Sequence, residues 1–443
     1  MKLTSLPLHN CVVFSVLFLL TVVPASLQAD TLSIDTDYRV RGVSFQNTDF
    51  NQETKDDSRS YYSQRIALSL TGSFSDTIEI ATKLTSLGVI GSTQTVTALP
   101  YDYSDKTPFI ETAFIRFLRF ANQPITVSIG RQNITCGDGL IIADNGTGPF
   151  TLHLAADYEY YLPWHFELFT MKTTENLAPK TDHNLYAGIL AFTARKHRFD
   201  IGYFQDRDYS QVLYDGIATT SILKNYISLR AGRKERDMSY QVEYAMQSGS
   251  IDRPGLNAVT IGGYSYIFAG TLTADKSKLG KVLARARLSI ASGDDNNTDN
   301  NETTFAPSQT KRFDGTERSG QGMLFAASSY DSFFTIPAAY TGINTLSVGT
   351  EFSPAYGLLF NVDYHLFSAS QGPKGAPVAS GFERIFGAEY AMGIEMNLGV
   401  RYEYSKYASF GLAYARYTPP PAEIYWPTRN PASLYVLDVT ARF

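Results

Sequence analysis

Arginine recurs at every second position in two parts of the sequence. Arg39 and Arg41 form one such pair, and Arg285 and Arg287 form the other. Residues at i and i+2 lie on one face of a β-strand about 7 Å apart, so each pair presents a short row of positive charge. Guanidinium groups bind carboxylates through two parallel hydrogen bonds. The spacing predicts either sites for anionic groups or ion pairs with acidic residues on neighbouring strands.

Further cationic residues share the phase of these pairs with respect to the apolar positions around them. Rings of Arg and Lys favour anions in a water-filled pore, because a low-dielectric wall focuses their field. We predict that the pore is lined by Arg39, Arg41, Arg65, Lys83, Arg230, Arg285, Arg287 and Arg401. The alternative is that these cations only stabilise the wall, by pairing with Asp35, Asp37, Glu79, Glu243, Glu395 and Glu403.

The elements that carry these residues are amphipathic strands. Near the C-terminus, Met396, Leu398 and Val400 alternate with Asn397 and Arg401. The same alternation covers the last ten residues, which end on Phe443, and recurs from Leu32 onward. Apolar and polar residues that alternate with a period of two indicate β-strands with one apolar and one polar face.

The alternating segments run for about 9 to 11 residues, the length that a tilted strand needs to cross a membrane. Full charges such as Arg287 and Asp363 lie in the middle of such segments. A lipid-facing strand must pair both of its edges, so the sheet has to close. We therefore predict an all-β fold, a closed antiparallel transmembrane β-barrel of about 18 strands, with 16 as the alternative. A barrel of this size encloses an aqueous channel.

Connections between the strands alternate between short and long. Short turns are expected at 72–76, 233–237 and 353–357, and long segments at 88–107, 138–157, 292–322 and 368–382. Short periplasmic turns and longer external loops are typical of outer-membrane barrels.

The N-terminus has the pattern of a secretory signal. Lys2 precedes an apolar core at residues 12–23, Pro24 follows, and a small-residue stretch ends at Ala29. We expect cleavage after Ala29, so residues 1–29 form a signal peptide and 30–443 a single barrel domain. Only Cys136 then remains, which excludes an internal disulfide.

Composition narrows the class of protein. The chain contains 29 Tyr and 28 Phe but only 2 Trp, and its mean hydropathy is −0.15. Abundant aromatic residues without long apolar runs suit the aromatic girdles of a membrane barrel. The net charge of −5 argues against a nucleic-acid-binding protein, because such proteins carry an excess of positive charge. We expect contact with outer-membrane lipid and no cofactor. The last strand, which ends on Phe443, resembles the terminal strand of bacterial outer-membrane barrels, and this resemblance implies recognition of Phe443 by the barrel-assembly machinery of a diderm bacterium.

Three segments resemble one family. Residues 125–138 contain Gly-Arg-Gln followed by a Gly-Asp element, residues 111–116 precede them with an acidic-x-Ala-aromatic pattern, and residues 286–294 end in Ser-Gly-Asp before Thr304 and Phe305. This ordered series resembles the alginate-export porins, and it covers about a third of the chain.

The resemblance implies an outer-membrane barrel, mostly of 18 strands in this family, that passes an anionic polysaccharide through an arginine-rich pore. It also implies that Arg131 contacts the pore. Strict alternation places Arg131 in phase with Val127 and Ile129, so it has to follow a bulge or lie at the strand end. Because the chain is not strongly cationic, a general or carbohydrate-type porin is an alternative to a dedicated polyuronate exporter. We predict passive diffusion or export of hydrophilic, anionic or carbohydrate-type solutes.

Two other kinds of site were considered. Asp295, Asn297 and Asp299 have the odd spacing of an EF-hand, but the central Gly is missing and Ala306 occupies position 12, so a solvated loop is the better interpretation. His365 and Ser368 suggest an outer-membrane hydrolase, but their spacing of three puts them on opposite strand faces. The hydrolase and a surface-loop binding protein remain the alternatives to a channel.

Overall fold

The computed structural model describes residues 31–47, 58–90, 108–143, 148–160, 162–175, 181–214, 216–277, 280–295, 299–309, 322–324, 341–355, 357–372, 390–420 and 430–443. The expected signal peptide lies outside these residues. No helix in this part of the chain is long and apolar enough to cross a membrane.

Eighteen long strands form the molecule. In chain order they are β1 (Thr31–Gln46), β2 (Arg59–Phe74), β3 (Ile78–Val89), β4 (Phe109–Phe117), β5 (Ile125–Arg131), β6 (Phe150–Tyr160), β7 (Leu162–Thr174), β8 (His183–Ala194), β9 (His197–Asp208), β10 (Ser221–Lys234), β11 (Met238–Asp252), β12 (Val259–Ser277), β13 (Gly280–Ala291), β14 (Thr341–Ala355), β15 (Leu358–Gln371), β16 (Tyr390–Ser405), β17 (Ala408–Thr418) and β18 (Ala432–Arg442). Each strand pairs antiparallel with the next. β18 also pairs with β1, from Asp37↔Arg442 to Gln46↔Ser433, and closes the barrel. The expectation of a closed antiparallel 18-stranded barrel is confirmed.

The barrel is apolar outside and polar inside. Leu398 is 38% exposed on the outer face, whereas its neighbour Asn397 is 3% exposed on the inner face. Tyr435, Leu437 and Val439 likewise face outward. A soluble protein would bury these apolar side chains, so their exposure indicates contact with lipid.

The connections lie as expected, short at one end and long at the other, with one correction. Ser75–Thr77 is a three-residue turn, and only residues 195–196 join β8 to β9. The segment 138–157 was predicted as one long loop, but its second half belongs to β6. There Leu152 and Leu154 alternate with Thr151 and His153, and this short period was obscured by the glycine- and asparagine-rich residues before it. The strands are also more variable in length than expected, from 7 residues in β5 to 19 in β12.

The two largest apolar clusters of the described residues lie inside the barrel, which the polar inner face would not suggest. The larger packs Leu140, Ile141 and Ile142 against inward-facing residues of β7 to β13. The other surrounds Leu324 with inward-facing residues of β1 and β14 to β18. Segments from the long connections therefore fold into the lumen and pack on its wall.

Candidate functional site

The first inserted segment, residues 132–143, follows β5. Its Asp138 amide donates to Glu243 Oε2 at 2.6 Å, and Arg287 Nη1 lies 2.6 Å from the Asp138 carboxylate. Gly137 has a φ of +59°, and a Cβ there would lie 2.4 Å from Glu243 Oε2. Only glycine adopts this conformation at this distance without strain. Ile142 pairs with Gln309, so a second stretch of chain covers the first.

A second inserted segment, residues 322–324, is bound in the same way on the other side of the lumen. The amides of Met323 and Leu324 both donate to the Glu395 carboxylate. Leu324 is completely buried against Phe367, Met392 and Tyr417. Pairing of Glu243 and Glu395 with wall arginines was the alternative to a cationic pore. Both accept backbone N–H groups and fix segments within the lumen.

Cys136 lies in the first inserted segment, outside the strands. Its side chain belongs to the larger apolar cluster and is 7% exposed. Burial, together with the negative charges of Glu167 and Glu243, raises the pKa of the Cys136 thiol. Since the thiolate is the reactive form, this cysteine is protected from thiol chemistry by the packing of the segment.

The arginine pair on β13 is neutralised by partners from other elements. Arg285 binds Asp363 through two parallel hydrogen bonds, Nε to Oδ1 at 2.8 Å and Nη2 to Oδ2 at 2.6 Å. Arg287 binds Asp138 of the inserted segment. For this pair the structure has the ion-pair arrangement that was the alternative to a free cationic row.

The pair on β1 lies on the inner face across the barrel. Arg41 Nε lies 2.6 Å from Asp438 of β18. Arg39 stands directly opposite Arg65 of β2 and Thr440 of β18. Arg65 and Lys83 converge on the buried Glu111, at 3.7 and 2.6 Å. Four predicted cations thus lie close together here, around two carboxylates.

The remaining predicted residues are placed differently. Arg230 faces inward, 3.9 Å from Asp200 and 3.3 Å from Gln241. Arg401 is exposed near the turn end of β16, on the same face as Asn397, and makes no ion pair within the described residues. Arg131 is the last residue of β5 and is in register with Phe150, which is 55% exposed. The register therefore assigns Arg131 to the outer face, because the strand ends there without the bulge that would turn the side chain inward.

Two cavities of about 440 and 480 Å³ lie along the inner wall from β9 to β16. They meet at Ala269, Gly270 and Thr271. The charged residues that line them are Lys196, Arg198, Arg230, Arg233, Lys234, Arg285 and Arg287, with Asp200 and Asp363. We call this surface the basic wall.

Carboxylates next to the basic wall compensate part of its charge. Arg198 binds Asp200 at 2.7 Å, and Glu235 binds both Lys196 and Arg233, at 2.6 and 2.7 Å. These two cations, Lys196 first, hold the pKa of the Glu235 carboxyl down at about 2. Lys234 has no ion-pair partner within the described residues. Even with Glu235 and Asp138 included, cations exceed carboxylates along this wall.

The histidine that suggested a hydrolase has a different partner. His365 Nδ1 lies 2.7 Å from the hydroxyl of Ser347 on β14, and Nε2 lies 3.1 Å from the Asn397 side-chain amide. Ser368 was the candidate partner suggested by the sequence. Both ring nitrogens are thus engaged in a buried polar network of the wall.

The candidate calcium loop, for which a solvated loop was the better interpretation, lies partly outside the described residues, which exclude Asn297. Asp299 Oδ1 accepts the amide of Asn301 at 2.7 Å, a local turn contact. Within the described residues no group of three or more His, Cys, Asp and Glu side chains is placed to hold a metal ion.

Several residues of this site were missed from the sequence. Arg198 and Lys234 follow the same alternation as Arg230, so the alternation could have predicted both as pore-lining residues. The lumenal role of Asp138 had no local signal, because its partner Glu243 lies 105 positions away in the chain.

A closed 18-stranded barrel with an apolar outer face, a polar inner face and inserted loop segments defines an outer-membrane channel of the porin type. The sequence profile described as alginate export matches residues 30–419, and the chain belongs to this family. No curated protein sequence matches it significantly.

Solved structures share the fold at low sequence identity. OccAB4 of Acinetobacter baumannii is 11% identical with a TM-score of 0.54, and the match covers 94% of this chain and 99% of that one. A BenF-like porin of Pseudomonas fluorescens Pf-5 is 11% identical with a TM-score of 0.53, with 94% and 99% covered. The outer-membrane protein OpdK of Pseudomonas aeruginosa is 11% identical with a TM-score of 0.51, with 93% and 99% covered. These neighbours support the fold.

Proposed function

We propose that the protein is a channel for passive diffusion of small hydrophilic solutes that are anionic or of carbohydrate type. The observation that carries this proposal is the basic wall. Its cations outnumber the adjacent carboxylates and line cavities in the lumen. Because the wall and the lipid around the lumen have a low dielectric constant, the field of these fixed charges is strong inside it. Serial weak sites of this kind let an anion enter and leave.

The inner segments support a solute that is small. Residues 132–143 and 322–324 both occupy lumen space, and wall carboxylates hold both in place. The cavities that remain beside them, about 440 and 480 Å³, suit a monosaccharide-sized solute better than a folded or branched chain. The family's polysaccharide export remains the alternative for this pore.

Reversal potential in a planar bilayer tests the proposal. Arg230→Gln combined with Lys234→Gln removes two positive charges from the basic wall, and the reversal potential in a salt gradient should shift toward cations. Low ionic strength should enlarge the shift, because screening weakens. Arg416→Gln is the matched control, because Arg416 faces outward on β17. An unchanged reversal potential in the double variant would contradict an anion path along this wall.

Oligouronates of increasing length distinguish the two solute classes. A mono- or disaccharide should permeate, while a long oligomer should block without passing. Passage of the long oligomer would favour polysaccharide export.

A second candidate, an outer-membrane hydrolase, rests on the Ser347–His365 contact. Both side chains are nearly buried, which leaves the hydroxyl little access to a substrate. We therefore expect no labelling of the folded barrel by a fluorophosphonate. Labelling that Ser347→Ala abolishes would favour the hydrolase.

We also infer that the assembly machinery recognises the last strand. Phe443 faces outward and is 72% exposed, and its backbone pairs with Thr36 of β1. Phe443→Ala should slow membrane insertion in cells without changing the conductance of barrels refolded in vitro. Equal insertion rates would contradict this role.

A further inference from the structure

The outer face carries few charged residues toward the end with the long connections. In the described strands they are Arg131, Lys172, Arg207 and Arg416, together with Asp252. Asp252 is the last residue of β11 and accepts a hydrogen bond from Ser221. The other four are cations. Carboxylates at the same end of the barrel, such as Glu111 of β4 and Asp206 of β9, face inward and are buried.

Three of these cations lie along one row of the sheet. In register across β5 to β9 are Arg131, Phe150, Lys172, Asn184 and Arg207. Neighbouring strands are about 4.8 Å apart, so successive cations in this row are separated by roughly 10 Å. Such a row can bind several phosphate groups of one layer at once.

Arg131, Phe150 and Lys172 also line a cavity of about 560 Å³ at the mouth of the barrel, which they share with Gln309 of the stretch paired with Ile142. On β9 and β10 the outer face remains polar below the row, toward the membrane centre. Tyr203 and Gln205 both donate to Asn225 Oδ1, at 2.9 and 3.1 Å. Hydroxyl and amide groups that face outward at this level match a sugar headgroup better than acyl chains.

The charges along the row are unequally compensated. Lys172 binds both Glu175 and Asp182, so it contributes little net charge. The Arg207 guanidinium lies 5.7 Å from the centre of the Tyr186 ring and makes no ion pair within the described residues. A cation held over an aromatic ring keeps its charge available to an anion. Arg207 is thus the strongest contact of the row.

We propose that this row binds the phosphate groups of the phosphorylated glycolipid that forms the outer leaflet of the outer membrane. Arginine forms paired hydrogen bonds with phosphate, and the lipid phosphates lie at the level where the strands leave the apolar layer. The site is separate from the pore, because the row faces away from the lumen.

The test measures how much phosphorylated glycolipid stays on the purified barrel. We compare the wild type with Arg207→Gln and with the double variant Arg131→Gln, Arg207→Gln, by native mass spectrometry from detergent. The double variant should retain about tenfold less glycolipid. Arg230→Gln, which removes the same charge from the inner face, should retain as much as the wild type. Heat-modifiable migration verifies that each barrel is folded, and unchanged conductance verifies it further for the two outer-face variants.

A second measurement identifies the ligand. Barrels stripped of lipid are titrated with bilayer discs that contain either the diphosphorylated glycolipid or its dephosphorylated form. Wild-type protein should prefer the phosphorylated form, and the double variant should not. Equal retention in all variants, an equal loss in Arg230→Gln, or no preference for phosphate would overturn the proposal.

Discussion

Arg285 and Asp363 form a two-pronged ion pair that crosses an entire strand. Arg285 belongs to β13 and Asp363 to β15, and both are in register with Gly349 of the strand between them. A Cβ at Gly349 would lie 1.9 Å from Asp363 Oδ1 and 3.1 Å from Arg285 Nε. The missing side chain of Gly349 thus makes room for the pair, which closes one side of a cavity of the basic wall.

Removing either partner of this pair should change ion selectivity in opposite directions. Asp363→Asn removes a negative charge from the cavity and should shift the reversal potential toward anions. Arg285→Gln removes the positive charge and should shift it toward cations. The variant with both changes should resemble the wild type. Shifts of the same sign in both single variants would mean that the pair acts through wall structure rather than charge.

The outer and inner faces of β15 should differ in their tolerance of charge. Val362→Arg places a charge in lipid and should cost about 2 to 4 kcal/mol of the free energy of unfolding. Asn361→Arg, at the neighbouring position, places the charge in the cavity and should lower the free energy of unfolding much less. Urea unfolding from lipid vesicles measures both. Asn361 is a better control than Asn397, whose side chain is packed against His365.

Gly137→Ala should release the first inserted segment. The added Cβ would meet the Glu243 carboxylate, and the positive φ adds strain of about 1 kcal/mol or more. Cys136 reports the change, because its burial keeps the thiol protonated in the wild type. Maleimide should modify Cys136 slowly in the wild type and much faster in the variant. The rate in the variant should approach that of a fully accessible control, a cysteine introduced at the exposed Leu256 in a Cys136→Ser background. A variant that remains slow would mean that the segment does not depend on Gly137.

Glu235 should stay ionised throughout the ordinary pH range. An unshifted glutamate begins to protonate near pH 5, but Lys196 and Arg233 lower the pKa of Glu235 to about 2, so its charge is lost only as the pH falls through that value. Glu235→Gln should therefore shift the reversal potential toward anions by the same amount at pH 7 and pH 4.5. A difference that vanishes at pH 4.5 would mean that Glu235 titrates in that interval.

The alternation of apolar and polar residues allowed the wall to be predicted from the sequence, but the segments inside the lumen could not be predicted in this way. Leu398 and Asn397 were assigned to the correct faces because a period of two is a local property of a strand. Glu243 and Glu395 looked like wall carboxylates, since their acceptance of backbone amides from residues 138 and 323–324 depends on long-range folding. The inward-facing apolar residues had no sequence signal either, because a strand that is covered on both faces loses its alternation.

Arg131 shows the limit of transferring a motif. The family resemblance and the alternation gave opposite faces for this residue. Resolving the conflict required the bounds of β5, which ends at Arg131 with no bulge in its pairing to β6. The local pattern was the better guide.

The covered inner wall constrains any attempt to widen this pore. Phe169, Met171 and Leu185 face the lumen beneath the first inserted segment, and each is nearly or fully buried. Deleting residues 132–143 would expose these side chains to water at about 1.5 to 3 kcal/mol each. The widened channel would then have an apolar stripe along one side, and this stripe would bind aromatic solutes. An engineer who shortens this loop must replace the stripe with polar residues in the same step.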